Sequence, residues 1–242
     1  MNLAQLPGST ISTGPEVYSG NAFIDRLPLD DRLALLEAAT IETLTDSQVL
    51  THQGECVTGM WFPSSACLAE YQLGDEGKRI RLAVVSSNGA TTISPVSGNA
   101  PSRHHTVCVR SGEALKLSAV DYINLISTRP NLVLAFFQLV DSQLAEARDL
   151  AMSSAVHTVD HRVARWMVKT SQVFGSAELN TTQEDVALDL GVQRSTVVAS
   201  FRSLKADGII RHTRGSLRIA NLERLEAVAG GSPDLIGADE EP

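Results

Sequence analysis

Cysteine is scarce in this 242-residue chain, and Cys56, Cys67 and Cys108 stand 11 and 41 residues apart. That spacing is neither a disulfide framework nor the close pairs of a zinc site, so no structural metal and no cofactor is expected. The three read as small hydrophobes, with a redox role left open for Cys56 beside the turn Gln53-Gly54-Glu55. Long apolar runs are missing too. No stretch of 18 or more apolar residues suggests a membrane span, and Met1 to Tyr18 lacks the basic start and apolar centre of a signal peptide. A cytoplasmic protein with no membrane partner is the expectation.

Positive charge is also in deficit, with a net −8, which at first sight argues against a nucleic-acid partner, since phosphate binding needs cationic surface. Its distribution reverses the argument. Residues 1–157 hold 10 Lys/Arg against 16 Asp/Glu, residues 158–230 hold 10 against 8, and residues 231–242 hold only 4 acids. Between Arg194 and Arg218 there are six basic residues and one acid, Asp207. A basic stretch on an acidic chain marks a local site for a polyanion.

With 43% apolar and 20% charged residues the chain can afford packed cores, and its length suits two modest domains. Residues 1–20, rich in Ser, Thr, Gly and Pro, read as a flexible arm, and residues 231–242 as an acidic flexible tail. Asp30 stands as an N-cap before the helical pattern Leu33, Leu36, Ala39. From Ile41 to Leu117 short strands alternate with turns: Val49-Leu50, Met60 to Phe62, Leu68 to Leu73, the hairpin-like Gly74-Asp75-Glu76-Gly77, then Ile80, Leu82 and Val84 alternating with polar neighbours. Residues 21–129 are therefore expected to form a barrel or sandwich.

After Pro130 the period becomes helical. Val133, Phe137, Val140, Leu144, Ala147 and Ala151 recur at spacings of four and three, the seam of a coiled coil. One face packed on its own barrel would explain such a stripe. Leu132, Leu134, Phe136 and Leu139 add more apolar surface than one partner needs, so residues 130–153 are expected to cover the barrel and also pair with a twin helix. Ser153-Ser154 interrupts the pattern, Thr158 can cap a new helix, and residues 154–230 form the next domain.

There the pattern sharpens. Thr182 caps a helix carrying Val186, Ala187 and Leu190, Gly191-Val192-Gln193 forms a tight turn, and Arg194 to Lys205 forms a second helix with Val197, Val198, Phe201 and Leu204 inward. Helices joined this tightly cross steeply and free the start of the second for a major groove. Ile209-Ile210-Arg211 and Leu217-Arg218-Ile219 flank a basic wing tip, Thr213-Arg214-Gly215-Ser216. The candidate DNA-binding residues are Thr182, Gln183, Gln193, Arg194, Ser195, Thr196, Ala199, Arg202, Lys205 and Arg214. Arg194 can donate two parallel hydrogen bonds to a guanine edge; Thr182, Thr196, Arg202, Lys205 and Arg214 suit phosphate oxygens.

The run TTQEDVALDLGVQRSTVVASFRSLKADGIIRHTRGSLRI resembles the winged helix of Crp/Fnr transcription regulators, and TVDHRVARWM resembles the helix that opens their DNA-binding domain. HQGECVTGMWFPSSACLAEY and RSGEALKLSAVDY resemble their β-roll. The resemblance, from about Phe23 to Ala229, implies an α+β chain with an N-terminal jelly-roll-like, cyclic-nucleotide-binding-like β-roll, a long dimerisation helix and a C-terminal winged helix-turn-helix. It further implies a homodimer on double-stranded DNA bearing a palindromic operator, with RNA polymerase as a further partner. The chain departs from the family at several places. Ser195 stands where an acid is usual and Ala199 where a second arginine is usual, so the familiar operator does not transfer. Ser87 to Thr106 has no glutamate to hold a ribose and offers Ser102-Arg103-His104-His105, while Ala147 and Arg148 replace the hydroxyl residues that face a base. Control by cyclic AMP is therefore not expected. Arg103, His105 and Arg148 remain as a candidate pocket for an effector that is unknown.

Two other function classes bear on the same residues. His52 with Cys56, or His104-His105 with Cys108, lacks the orienting group of a catalytic pair, so an enzyme is not expected. An interaction module that keeps the fold without reading DNA has no need of the basic residues between Arg194 and Arg218.

Overall fold

The computed structural model describes residues 18–74, 79–91, 101–213 and 216–230. Most of the expected N-terminal arm, the hairpin tip at 75–78, the wing tip at 214–215 and the acidic tail lie outside them. The described residues fall into two compact units, one comprising the chain up to Leu73 with Leu82–Ala147, the other Gly74–Arg81 with the chain from Arg148 onward.

The first unit opens with α1 (Ala22–Asp25) and α2 (Leu29–Ala38). Asn21, fully buried, accepts from the Phe23 and Ile24 amides and donates to the Pro63 and Gly89 carbonyls, tying the start of the chain to the roll. α2 begins one residue before Asp30, with Pro28 at its cap, so the expected Asp30 cap is corrected. Proline there fixes the backbone without needing the amide that a helix start leaves unpaired, and Asp30 instead places its charge in the first turn.

Seven strands follow: β1 (Thr40–Leu44), β2 (Val49–Thr51), β3 (Gly59–Pro63), β4 (Cys67–Leu73), β5 (Arg79–Val85), β6 (His105–Arg110) and β7 (Gly112–Ser118). They form two sheets in the orders β1-β7-β3 and β2-β6-β4-β5. Strand period two explains why β3 is buried at every residue. Met60 and Phe62, with Leu115 and Leu117 of β7, enter a core with Ile24, Leu35 and Tyr122. Trp61 and Ala114 point the other way and join Leu44, Leu68, Val85 and Cys108 inside the roll. Gly112 allows β7 to pass the chain at Ala66, where a Cβ would lie 2.4 Å from the backbone nitrogen. Cys67 and Cys108 are buried as expected of small hydrophobes, but Cys56 is exposed, in the turn region before β3.

α3 (Ala119–Thr128) leads into α4 (Pro130–Val156), which passes through Ser153-Ser154 without a break. Leu132, Phe136 and Leu139 of α4 are buried in the helical core of the first unit, where Phe136 meets Phe23 and Tyr122 at ring distances of 5.4 and 4.8 Å.

The second unit holds α5 (Val159–Phe174), β8 (Glu178–Leu179), α6 (Gln183–Leu190), α7 (Arg194–Ala206), β9 (Ile210–Thr213), β10 (Ser216–Ile219) and α8 (Leu222–Val228). Thr158 caps α5 by accepting from the His161 amide. The strands form a sheet in the order β8-β10-β9; β8, only two residues long, was not foreseen. Val163, Met167, Val186, Val197, Phe201, Leu204, Ile210 and Leu217 form the core.

Ile80 and Leu82 are exposed, contrary to the expected inward alternation of that strand. The reason at its start is Arg81, whose guanidinium lies 2.9 Å from the buried Asp189 carboxylate, donates to Thr170 and sits 4.9 Å over the Trp166 ring. Trp166 Nε1 donates to the same carboxylate at 3.1 Å. A buried carboxylate needs a charged partner; Arg81 and Trp166 converge on Oδ2 while Oδ1 has no hydrogen-bond partner, and the strand turns its arginine, not its isoleucine, toward these groups.

Candidate nucleic-acid interface

The turn between α6 and α7 is built from local chemistry. Thr182 accepts from the Asp185 amide, while its own amide and hydroxyl donate to the Asp185 carboxylate at 3.1 and 2.6 Å, a reciprocal capping box. Gly191 ends α6 at φ +63°, a conformation that costs a side-chain-bearing residue about 1 kcal/mol or more. The Val192 amide closes on the Ala187 carbonyl, and Gln193 starts α7.

Helical spacing then sorts α7. Val197, Phe201 and Leu204 are buried, Val198 is half-buried, and Ser200 is buried as well, which the apolar pattern did not foresee. Gln193, Arg194, Ser195, Thr196, Ala199, Arg202 and Lys205 are all exposed and Gln183 is half-buried. Thr182 is exposed, but its hydroxyl hydrogen is engaged by Asp185. Arg214 lies outside the described residues. On the wing, Phe201 meets His212 edge to face at 5.2 Å, and burial, with Lys205 nearby, pushes the His212 imidazole toward its neutral form.

Three further residues belong to this surface and were not singled out in the sequence. Arg211 and Arg218 are exposed and paired in register across β9 and β10, so they share a face, with Glu178 of β8 opposite Arg218 on its other side. Strand alternation through IRHT and SLRI was the signal that could have found them. Glu184, in the first turn of α6, approaches Arg194 with Oε2 3.5 Å from Nε.

The candidate effector residues Arg103 and His105 belong to the first unit and Arg148 to the second. Arg103 is exposed and lines an open cavity of about 440 Å³ in the first unit, with Gln53, Gly54, Gln72, Pro101 and Ser102. His105 packs edge to face on His52 at 5.3 Å, and burial, with His52 beside it, pushes its imidazole toward neutrality. Arg148 is an exposed residue of α4 in the second unit. The buried Cys108 thiol is pushed up by burial, the wrong direction for a nucleophile.

Along α4 the seam residues are open: Val133 is half-buried, and Phe137, Val140, Leu144, Ala147 and Ala151 are exposed. Phe137 is 68% exposed and Leu134 64%, while Phe136 between them is 2%. Among the described residues no helix is long and apolar enough to cross a membrane, and no cluster of His, Cys, Asp or Glu is arranged for a metal.

Residues 161–228 match the family model of the Crp-like helix-turn-helix domain. The whole fold is similar to that of a transcriptional regulator of the Crp/Fnr family from Eubacterium rectale, at a TM-score of 0.74 and 18% identity, covering 88% of this chain and 100% of that one. It is also similar to the c-di-GMP-responsive global regulator CLP of Xanthomonas campestris, at 0.70 and 13%, covering 79% and 99%. A Crp/Fnr-family regulator of Thermus thermophilus aligns at 0.69 and 18%, covering 79% and 99%. A comparison with curated proteins finds no match.

Proposed function

We propose that this chain, which has the fold of Crp/Fnr regulators and carries a Crp-like helix-turn-helix domain at residues 161–228, is a homodimeric transcription regulator that reads a palindromic site on duplex DNA without cyclic AMP. The observation that carries the reading is the two-sidedness of α7: Val197, Phe201 and Leu204 anchor it while Arg194, Ser195, Thr196, Ala199, Arg202 and Lys205 stand in one exposed set. Arg194 at the start of the helix reads a guanine, and Arg202, Lys205, Arg211 and Arg214 hold phosphates. RNA polymerase is its further partner and the cytoplasm its place of action.

Dimerisation rests on α4. Its Leu132, Phe136 and Leu139 are spent on the first unit, and the exposed row from Phe137 to Leu144 is apolar surface that a second copy would cover. Independence from cyclic AMP rests on the loop into β6. A phosphate there needs a charged partner and a ribose needs an acceptor. His105 is held toward neutrality, Arg103 is exposed at the lining of an open cavity, and no glutamate lies between Ser87 and Thr106. Arg103 is the cation left for an anionic effector of another kind.

Selection of bound duplexes from random DNA by purified, ligand-free protein tests the reading. Recovery of a palindrome is the expected result; recovery of no preferred sequence would overturn it. Calorimetric titration with cyclic AMP should give no heat, and micromolar binding that also tightened DNA affinity would overturn the ligand-free reading.

A further inference from the structure

Arg194 is in an awkward place for a cation. It is the first residue of α7, where unpaired amides make a helix end positive, and the first turn of α7 contains no acid to offset that. Its neighbour Ser195 is neutral, and Gln193 makes no side-chain cap. The compensating charge comes from the other helix: Glu184 reaches Arg194 across the turn, Oε2 to Nε at 3.5 Å.

Both side chains are more than half exposed, 59% and 63%, so the pair adds little to the stability of the fold. Its geometry matters more. A guanidinium has a side edge that includes Nε and an end edge formed by the two Nη groups. With Nε turned to the carboxylate, the end edge stays free, and that edge matches the O6 and N7 acceptors of guanine. The rest of the α6 start does not attract phosphate. The Thr182 hydroxyl hydrogen is held by Asp185, and Glu184 and Asp185 put two carboxylates in the first turn.

We infer that Glu184 is a positioning residue for base reading: it holds Arg194 end-on to guanine and, by repelling phosphate, lowers affinity for DNA of the wrong sequence. The inference rests on the DNA-reading function proposed above. Glu184 trades general affinity for discrimination.

The test compares wild type, Glu184→Gln, Arg194→Ala and the double variant on a duplex selected by the wild type and on random duplex of equal length. Glu184→Gln should bind random duplex about two- to fivefold more tightly and select less strongly for the guanine read by Arg194. In the Arg194→Ala background the same change should leave base preference untouched, because the coupling runs through the guanidinium. Equal melting temperatures of wild type and Glu184→Gln would exclude a folding defect. Unchanged base preference in Glu184→Gln, or an equal change with and without Arg194, would overturn the inference while leaving DNA reading intact. Failure of the wild type to select any sequence would instead overturn the DNA reading, and the inference with it.

Discussion

On α7 the polar side chains other than Ser200 are held outward, whereas in the stretch from Ser102 into β6 every second one is turned inward. Ser102, His104 and Thr106 are all buried, and the loop spends its hydrogen bonds on itself. The Ser102 hydroxyl donates to the His104 carbonyl at 2.7 Å, the Ser102 amide donates to Glu55, and His104 lies 3.5 Å from the buried Glu70 carboxylate. On α7, by contrast, among the described residues only Arg194 of the outer set has a side-chain ion-pair partner, and that partner is exposed. A surface made for a large, variable polyanion leaves its donors to water until the partner arrives. A loop whose donors are already satisfied internally must break bonds before it can hold a ligand.

Substitutions can sharpen that contrast or break it. The largest effect should follow Leu144→Glu, which puts a charge in the proposed seam: sedimentation should show a monomer, and affinity for a full palindrome should fall about 10²- to 10⁴-fold as two-point attachment is lost. A dimer with unchanged affinity would mean that the row on α4 is not the interface. Arg194→Ala should cost about 1–3 kcal/mol on the selected duplex and relax one base pair in each half-site, without moving the melting temperature. Lys205→Ala should weaken all sequences alike and flatten the dependence on salt. Uniform weakening by Arg194→Ala would reduce it to a phosphate contact.

Ser102→Ala should behave in the opposite way. It should cost about 1 kcal/mol of stability in chemical denaturation, because the His104 backbone loses its buried partner, and leave DNA affinity unchanged. Lower DNA affinity at equal stability would show that the loop serves reading after all. The smallest effect concerns Asp31, whose carboxyl is held below the usual carboxylate range by the Asn131 amide and the Arg129 guanidinium. A lowered folded-state value stabilises the protein above about pH 4, the value in the unfolded chain, and that contribution is lost as pH falls through the folded value. Asp31→Asn should therefore flatten the acid limb of a stability profile, with a modest loss at neutral pH; an unchanged limb would remove this carboxylate from the account.

What was legible in the sequence follows the same division. The helix-turn-helix could be read because helical period, two terminating glycines and a capping threonine all agree within Thr182 to Gly208. The exposed seam beside buried Leu132, Phe136 and Leu139 was legible because α4 carries more apolar residues than one face can use. Charged residues were the blind spot. Asp189 and Arg81 drew no reading, since sequence alone gives no sign that a carboxylate two residues before Gly191 will receive both Trp166 and an arginine more than 100 positions earlier. Glu184 read only as part of a helix start. An acid there combined with a neutral residue after Arg194 was the available hint. The candidate effector set, Arg103, His105 and Arg148, came from the family resemblance; within the first unit Arg103 lines a cavity and His105 packs on His52.

If a second copy covers it, the apolar row on α4 would also make abundance a control variable. A solitary copy carries Leu134, Phe137, Val140 and Leu144 against water, and association through that row would couple the stability of each copy to the concentration of the other. Below the dissociation constant of the pair, the reading species then grows as the square of total protein. Doubling synthesis would quadruple it, and halving synthesis would silence the operator more sharply than any single-copy binder. Such a regulator converts its own rate of production into a threshold, with no small molecule required to set it.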